Sequence, residues 1–420
     1  MNWHTSRLIL SSCLLAVALS SCSREQDPGE VEVLHWWTSG GEARSVAELK
    51  KILESKGDTW KDFAVAGGGG ETAMTVLKSR VVSGNPPTAA QVKGPGIQEW
   101  AREGVLANID DVAEAGDWNN LLPPVVSDIM KYEGHYVAVP VNVHRVNWMW
   151  ANPSVFEQAD ASIPVTWDEF LVAAAKIQKA GFIPVAHGGQ PWQDSTLFES
   201  IALGIGGADW YRRAFVDLDA TALNSPTMVK SFVMLRAVQQ FIDKDAANRD
   251  WNLATAMVIN GKAAMQFMGD WAKGEFTAAG KSPGTDYICV PAPGTAGSFT
   301  FNIDSFIMFE QEDADAKVAQ GHLAESIMEP EFQEIFNLNK GSIPVRLGMD
   351  LSQFDQCAKD SAAEFAMASE RGMLVPSWAH EMAMPPANKG GMFDVVTAFI
   401  NTPKMTAQDA AAGMASAGRQ

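Results

Sequence analysis

Apolar and polar positions in the first hundred residues predict strands that alternate with helices. Residues 31–37 are alternating or continuously apolar and predict a strand, and a helix opens within residues 38–56. A second strand at 60–65, a helix at 71–83 and a third strand within 85–92 repeat the same order. Because strands that are joined through helices pair in parallel, this pattern predicts an α/β fold with a parallel sheet.

The same alternation continues in the later part of the chain. Residues 136–150 predict strand structure, and residues 261–268 predict a short strand that leads into a helix opening at 270–271. Residues 331–339 have helical spacing, and Gly341 just behind them suits the left-handed conformation that often ends a helix. We therefore expect more than one α/β layer.

One strand carries polar residues on an otherwise apolar background. Residues 299–305 alternate with period two, which places Asn302 and Asp304 on one face and Phe301 and Ile303 on the other. A buried polar group without a partner costs about 1–3 kcal/mol. Asn302 and Asp304 therefore need partners, and either the protein or a ligand supplies them.

The first predicted strand ends on two tryptophans, where open α/β sheets place their ligands. Adjacent strand residues point to opposite faces, so one of Trp36 and Trp37 can pack in the core while the other lines a cleft. Glu42, near the start of the next helix, is an acceptor for hydroxyl groups. The alternative is a core tryptophan pair with a glutamate that only caps the helix.

Four further positions are weaker candidates, and each has an ordinary structural explanation. Lys93 follows a strand, and Lys340 lies at a helix exit; both are equally explained as solvated charges. Trp271 could stack on a ring or pack in the core, and His380 could be a hydrogen-bonded surface histidine. The tetraglycine at 67–70 lacks the lysine and the spacing of a phosphate loop, so a flexible turn is expected there.

The amino terminus has the pattern of an export signal. Arg7 precedes an apolar run at 8–19, and small residues follow it, so residues 1–21 are predicted to be a signal peptide. The run is too short for a lasting membrane span, which needs about 20 apolar residues. Leu19-Ser20-Ser21-Cys22 resembles a bacterial lipobox, with Cys22 as the lipidated first residue of the mature chain. Ordinary cleavage, with Cys22 removed or left as a free thiol, is the alternative.

Composition and charge restrict the class of protein. The 420 residues are 46% hydrophobic and 20% charged, which is typical of a globular chain of two domains. The net charge of -18 argues against a nucleic-acid partner. Beyond Cys22 only Cys289 and Cys357 remain, and in an oxidising compartment they form either a disulfide or two buried thiols.

The aromatic residues favour a sugar as the ligand. The chain has 14 Trp and only 4 Tyr, and an indole offers a broad apolar face together with one N–H donor. Such a side chain suits a partner with a flat C–H face and polar edges. The sequence contains no nucleophile elbow, no His-Glu-x-x-His motif and no metal-ligand spacing, so no enzyme, metal or cofactor is predicted. Because 50 acidic residues always allow a carboxylate pair, a carbohydrate-active enzyme stays open as the alternative.

At these residues the chain resembles the extracellular solute-binding proteins of ABC-type sugar importers. The likeness is to the maltose-binding-protein-like group and, within it, to the glucose/mannose-binding proteins. It covers nearly the whole mature chain. The motifs that carry it are residues 33–42 (Val-Leu-His-Trp-Trp-Thr-Ser-Gly-Gly-Glu), 261–271 (Gly-Lys-Ala-Ala-Met-Gln-Phe-Met-Gly-Asp-Trp), 299–306 (Phe-Thr-Phe-Asn-Ile-Asp-Ser-Phe) and 336–346 (Phe-Asn-Leu-Asn-Lys-Gly-Ser-Ile-Pro-Val-Arg).

The resemblance implies a two-lobed periplasmic-binding-protein fold of type II, with the ligand in the interlobe cleft. The expected lobes are discontinuous, and the chain crosses between them near 141, 284 and 326. The predicted divisions are a signal peptide at 1–21, a tether at 22–30, an N-terminal lobe at 31–141 and 284–325, and a C-terminal lobe at 142–283 and 326–420.

The resemblance also implies a function and a set of binding residues. We expect a monosaccharide, glucose first, to be captured outside the cytoplasm by a monomer and delivered to a membrane permease. In this prediction the lobes close on the sugar, with Trp271, Lys340 and His380 approaching from the hinge and the second lobe. The same fold with an oligosaccharide or a glycerol phosphate ester is a second alternative. The predicted ligand contacts are Trp36, Trp37, Glu42, Lys93, Trp271, Asn302, Asp304, Lys340 and His380.

Overall fold

In a computed structural model, the chain is described over residues 28–67 and 70–419. The predicted signal peptide at 1–21 and the lipidation site Cys22 lie outside these residues, as does most of the tether at 22–30. Two separate hydrophobic cores divide the described residues into two lobes. The two-lobed α/β architecture expected from the sequence is therefore observed.

The described residues contain twelve short strands. In chain order they are β1 (Glu30–His35), β2 (Thr59–Ala64), β3 (Ala89–Val92), β4 (Lys131–Tyr132), β5 (His135–Tyr136), β6 (Ala138–Arg145), β7 (Trp148–Ala151), β8 (Ile183–Val185), β9 (Ala263–Phe267), β10 (Ile288–Pro291), β11 (Phe299–Met308) and β12 (Leu374–Pro376). Five of these strands, namely β3, β6, β7, β9 and β11, are buried along their whole length.

The helices lie between these strands and cover the sheets. They are α1 (Gly40–Ser55), α2 (Glu71–Val82), α3 (Pro95–Arg102), α4 (Asp110–Ala115), α5 (Trp118–Leu121), α6 (Pro124–Ile129), α7 (Pro153–Gln158), α8 (Trp167–Lys179), α9 (Pro191–Phe215), α10 (Ala220–Leu223), α11 (Pro226–Gln239), α12 (Trp251–Ile259), α13 (Ala272–Ala278), α14 (Ala314–Met328), α15 (Pro330–Lys340), α16 (Gln356–Glu370), α17 (Pro386–Asn401) and α18 (Ala407–Ala417).

The first lobe is built on a mixed sheet with the order β12-β11-β3-β1-β2, to which β6 adds by pairing with β11. β1 is parallel to both β2 and β3, as the strand–helix alternation predicted. β11 is antiparallel to β3 and β6, because it arrives from the other lobe rather than through a covering helix. The carboxyl ends of β1 and β3 therefore meet at one edge of this sheet.

The second lobe has a smaller sheet with the order β10-β7-β9-β8. Its core is surrounded by long helices, among them α9, which is kinked at Gly207 (φ 73°). The segment 136–150, which the pattern predicted as strand, contains the end of β5 and then β6 and β7, which belong to different sheets. The chain thus passes from one lobe to the other between Arg145 and Trp148.

The chain returns to the first lobe between β10 and β11, and the later part differs from the predicted division. Phe332 and Phe336 of α15 pack in the core of the first lobe, although the sequence assigned 326–420 to the second. The reason is that α15 lies against α1, with Ser45 Oγ donating to the Phe336 carbonyl at 3.2 Å. Residues 378–417 contribute mainly to the second core. The exact lobe boundaries stay a prediction.

Cys289 and Cys357 form a disulfide, with their Cα atoms 6.2 Å apart. The bond joins β10, in the sheet of the second lobe, to the first turn of α16, whose Ala358 and Phe365 pack in the first core. The sequence left open a disulfide or two buried thiols at these cysteines, and the structure contains the disulfide.

No helix within residues 28–67 and 70–419 is long and apolar enough to cross a bilayer. Over the same residues, no group of three or more histidine, cysteine or carboxylate side chains has a metal-binding arrangement.

Candidate ligand-binding cleft

A cleft between the two cores collects all nine of the predicted contact residues. Its volume is about 30 Å³, well below the roughly 300–1,000 Å³ that is usual for small-molecule sites, so the cleft is narrow. Three more side chains line it that sequence reasoning missed, namely His144, Trp192 and Trp251. The structure thus brings the predicted residues together, while their contact with a ligand stays a prediction.

The two adjacent tryptophans lie at the carboxyl end of β1, which stops at His35 rather than at Trp37 as predicted. Trp37 packs against Phe306 and Phe336, with ring centroids 5.5 and 5.3 Å away. The Trp37 ring is therefore mostly core, although the Lys340 ammonium of the cleft lies over it, 5.7 Å from its centroid. Trp36 is the more available ring, with the Lys93 ammonium 5.1 Å from its centroid.

Glu42 both caps helix α1 and lines the cleft, two roles that the sequence offered as alternatives. One carboxylate oxygen accepts from the backbone N–H of Ser39 at 3.4 Å, completing a capping box at the start of α1. The other oxygen accepts from the Lys340 ammonium at 2.6 Å, and both side chains are buried. Gly341 ends α15 in the left-handed conformation (φ 94°), which confirms the predicted cap and fixes where Lys340 emerges.

Asn302 and Asp304 face the cleft from β11, while Phe301 and Ile303 pack in the first core. Asp304 accepts from Gln91 Nε2 at 3.3 Å and is 2.9 Å from His144 Nε2. Within the described residues, the buried Oδ1 of Asn302 has no hydrogen-bond partner. An acceptor that is buried and unpaired at the wall of a cleft is ready for a donor on a ligand.

Asp304 is ionised because its neighbours are cationic. Burial alone would raise the pKa of its carboxyl group, but His144, Lys93 and Lys340 outweigh that effect and hold the pKa well below its usual range. Asp304 therefore presents a charged acceptor at the floor of the cleft. Charge-assisted hydrogen bonds of this kind are stronger than those between neutral groups.

The second lobe contributes an aromatic wall. Trp192 begins α9, Trp251 begins α12 and Trp271 precedes α13, and each ring is almost fully buried. The Trp271 ring lies 4.9 Å from that of His380 and 6.5 Å from that of Trp192. The Trp271 indole packs directly against Gly269, where only a glycine fits, because a Cβ on Gly269 would lie 2.2 Å from the indole.

His380 is a neutral member of this wall. Burial is the main cause that lowers the pKa of its imidazole well below the usual value, and the charges of Lys93 and His144 add to it. Its Nε2 lies 3.0 Å from Thr196 Oγ, which also donates to the Trp192 carbonyl at 2.8 Å. The surface position allowed by the sequence is therefore wrong, since the ring is 6% exposed.

A buried glutamate anchors the loop that carries His380. Glu199 of α9 accepts from Ser377 Oγ and from the Trp378 backbone N–H, both at 2.7 Å, and from Tyr211 at 2.5 Å. Burial raises the pKa of Glu199 to about 7 in spite of these hydrogen bonds. The arrangement fixes His380 without placing Glu199 in the cleft.

The two lobes therefore offer different chemistry to a ligand. The side of the first core supplies two tryptophan rings and the charged or amide groups of Glu42, Lys93, Asn302, Asp304 and Lys340. The sequence predicted that Lys340 approaches from around the hinge and the second lobe, whereas α15, which carries Lys340, packs on α1 of the first lobe. The second core supplies three indoles, with His380 beside them. Such a site can hold a small polar ring by its edges and cover its faces.

His144, Trp192 and Trp251, the three cleft residues that were not predicted, have only weak signals in the sequence. His144 lies directly opposite Asn302 in the β6–β11 register, and Asn142 lies opposite Asp304. Alternation within 136–150 placed Asn142 and His144 on one face, but the register between distant strands is not encoded locally. Trp192 and Trp251 each follow a loop and open a helix, and nothing in the local pattern separates them from core tryptophans.

The sequence matches the family of bacterial extracellular solute-binding proteins over residues 46–320. The chain belongs to this family, whose members bind solutes and do not convert them, and the prediction that it is not an enzyme is confirmed. A probable sugar-binding periplasmic protein of Brucella suis is 46% identical over 400 residues, which cover 95% of this chain and 94% of the relative.

More distant relatives share the architecture over most of their length. The xylose/arabinose-binding protein XacG of Haloferax volcanii is 25% identical over 378 residues, covering 88% of this chain and 80% of its own. Among solved structures, the bacterial solute receptor AcbH, described as preferring β-D-galactopyranose exclusively, superposes with a TM-score of 0.77. That match covers 93% of this chain and 97% of AcbH at 20% identity, and it confirms the two-lobed fold.

Proposed function

We propose that this protein captures a monosaccharide, with glucose as the preferred ligand, and delivers it to a membrane permease of the ABC type. The observation that carries the proposal is the division of one small cleft into a polar side and an indole side. A pyranose has polar edges and apolar C–H faces, and this division matches both. The relative named as a sugar-binding periplasmic protein supports the same class of ligand.

The size and the charge of the cleft favour a single neutral sugar ring. The cleft volume of about 30 Å³ leaves no room for an oligosaccharide, and in the proposed cycle a single ring enters while the lobes are apart. Lys93, Lys340 and the His144 imidazolium are balanced by Glu42, Asp304 and Asp270. A phosphate ester would add an unpaired negative charge to this balanced set, which is costly to bury.

In the proposed mode of binding, hydroxyl groups reach the polar side first. Asp304 and Glu42 accept from hydroxyls, Lys93 and Lys340 donate to them, and the Asn302 amide can do either. The indoles of the second lobe then cover the ring as the lobes close. A displaced hydroxyl would leave a buried partner unpaired, which is how such a site distinguishes epimers.

The proposal predicts a hierarchy among sugars. Glucose is expected to bind with one molecule per chain and to raise the melting temperature, since a ligand at 100 times its Kd adds about 2.7 kcal/mol of stability. Mannose and galactose should bind more weakly, and maltose weakest. Titration calorimetry with these sugars, xylose, arabinose and glycerol 3-phosphate, followed by product analysis, measures this. Tightest binding of maltose or of the phosphate would contradict the proposal, and so would hydrolysis of a glycoside.

Closure is proposed to present a surface from both lobes to the permease, with the protein acting as a monomer outside the cytoplasm. The periplasmic designation of the Brucella relative supports this location. For the lobes we propose the sequence-derived divisions, refined so that α15 moves with the first lobe on which it packs.

We further propose that the mature chain begins with a lipidated Cys22. The apolar run at 8–19 and the lipobox-like residues 19–22 support this. Intact mass spectrometry of protein from the native membrane fraction should show a diacylglyceryl-modified chain that starts at Cys22, and Cys22→Ser should abolish the modification. An unmodified mature chain that starts elsewhere would overturn the anchor and leave the binding proposal intact.

A further inference from the structure

The strongest unassigned feature of the cleft is a buried histidine held between two carboxylates from different parts of the fold. His144 lies on β6, the last strand before the chain leaves the first lobe. Its Nδ1 forms a hydrogen bond with Asp270, and its Nε2 lies 2.9 Å from Asp304 Oδ2. Asp270 immediately precedes Trp271 of the second lobe, whereas Asp304 belongs to β11 of the first.

We infer that His144 is a positioning residue that couples the polar side of the cleft to its aromatic wall, and that ligand affinity depends on its proton. This inference rests on the proposed sugar-binding function and assigns a control of the same site. Only an imidazolium carries N–H groups on both nitrogens and can donate to two carboxylates at once. A neutral ring must turn a lone pair toward either Asp270 or Asp304.

The surroundings of His144 favour its charged form. Burial alone would lower the pKa of His144, but the charges of Asp270 and Asp304 and their hydrogen bonds raise it above the ordinary value. The Asn142 amide nitrogen lies 3.1 Å from His144 Nε2 and would suit a lone pair there. A hydrogen bond from this neutral amide stabilises the neutral ring less than the two charge-assisted hydrogen bonds to carboxylates stabilise the imidazolium.

Other charged groups are also close to this cluster, and they must be separated from the effect of His144. Arg145 is the next residue on β6, and its backbone N–H donates to Asp270 at 2.9 Å. Lys93, Lys340 and His380 line the same cavity from β3, α15 and the segment after β12.

Loss of the proton would act on both walls of the cleft. Asp304 would lose its donor at Nε2 and would be repelled by the lone pair that replaces it, so its hydroxyl-accepting oxygens would shift. The His144 ring also meets the Trp271 indole edge to face, with centroids 5.2 Å apart. Because the two rings are in contact, a turn of the imidazole after deprotonation would displace Trp271 as well.

The sign of the pH dependence follows from this. Glucose affinity should be greatest where His144 is protonated, below its raised pKa, and should fall by about tenfold or more as the pH is raised from about 6 through that pKa. His144→Gln keeps a donor but cannot titrate, so it should bind about tenfold more weakly than the wild type near pH 6 with a flat profile.

Two further variants separate this role from a structural one. Asp270→Asn removes one of the two carboxylates that hold the proton, so the midpoint of the affinity profile should move to lower pH. His322→Gln is the matched control, because His322 makes a comparable pair with Asp58 at 2.7 Å outside the cleft. It should leave both the affinity and the profile unchanged.

The experiment is titration calorimetry of glucose with the full chain and these variants across that pH range. A wild-type profile that falls with pH, a flat His144→Gln profile and a shifted Asp270→Asn midpoint are expected. Equal profiles in wild type and His144→Gln would overturn the inference while leaving sugar binding in place. If His144→Gln does not fold, an unmoved midpoint in Asp270→Asn overturns it instead. A wild type that binds no hexose at any pH would overturn the proposed function and this inference with it.

Discussion

Replacing Asp304 by asparagine is expected to weaken glucose binding by roughly 100-fold, or about 3 kcal/mol. The substitution preserves the shape of the side chain but removes the charge that opposes the buried His144 imidazolium and the lysines of the cleft. Breaking one partner of a buried ion pair is costly because the other charge stays without compensation. Calorimetric titration of the variant with glucose measures the loss.

Asp58→Asn is the control for this change. Asp58 is 9% exposed, against 2% for Asp304, and accepts from His322, but it directly precedes β2 and does not line the cleft. It should lower the free energy of unfolding without changing the affinity for glucose. Equal glucose affinities for wild type and Asp304→Asn would remove Asp304 from the binding site.

Gly341→Ala should weaken glucose binding nearly as much as Asp304→Asn, although the added methyl group would touch no ligand. A Cβ on Gly341 would lie 2.4 Å from the Asp270 carbonyl oxygen and 2.9 Å from the Gly274 backbone nitrogen. These atoms belong to the segment around Trp271 in the second lobe, so the methyl group would push the two lobes apart next to Lys340. We expect a loss of glucose affinity of roughly 100-fold, since the indole wall could no longer close on the ring.

Gly57→Ala is a closely matched control for that variant. Gly57 has φ of 95° against 94° for Gly341, and nothing lies within 4 Å of its added Cβ. Gly57→Ala carries the same backbone strain, roughly 1–2 kcal/mol of stability, without the collision. Chemical denaturation and calorimetry on both variants separate the two effects. Similar glucose affinities in the two variants would show that the contact at Gly341 does not control closure.

Local sequence patterns predicted a large part of this site because each pattern needs only neighbouring residues. Alternation along 299–305 placed Asn302 and Asp304 on one face, and both face the cleft. The strand–helix order placed Trp36 and Lys93 at the carboxyl ends of parallel strands, which meet at one edge of the sheet. The family resemblance added Lys340 and His380, whose local patterns are ambiguous.

The tertiary structure alone decided which distant groups become partners. Glu42 and Lys340 are 298 positions apart and pair because α1 packs on α15. That packing also assigns α15 to the first core, against the division expected from the sequence.

His144 acquires its two carboxylates only through the pairing of β6 with β11 and the turn before α13. The sequence by itself therefore determined the order of strands and helices, the faces of each strand and the class of ligand favoured by its tryptophans. The folded chain decided the ion pairs and the aromatic wall, because contacts between distant segments depend on register and packing rather than on local pattern.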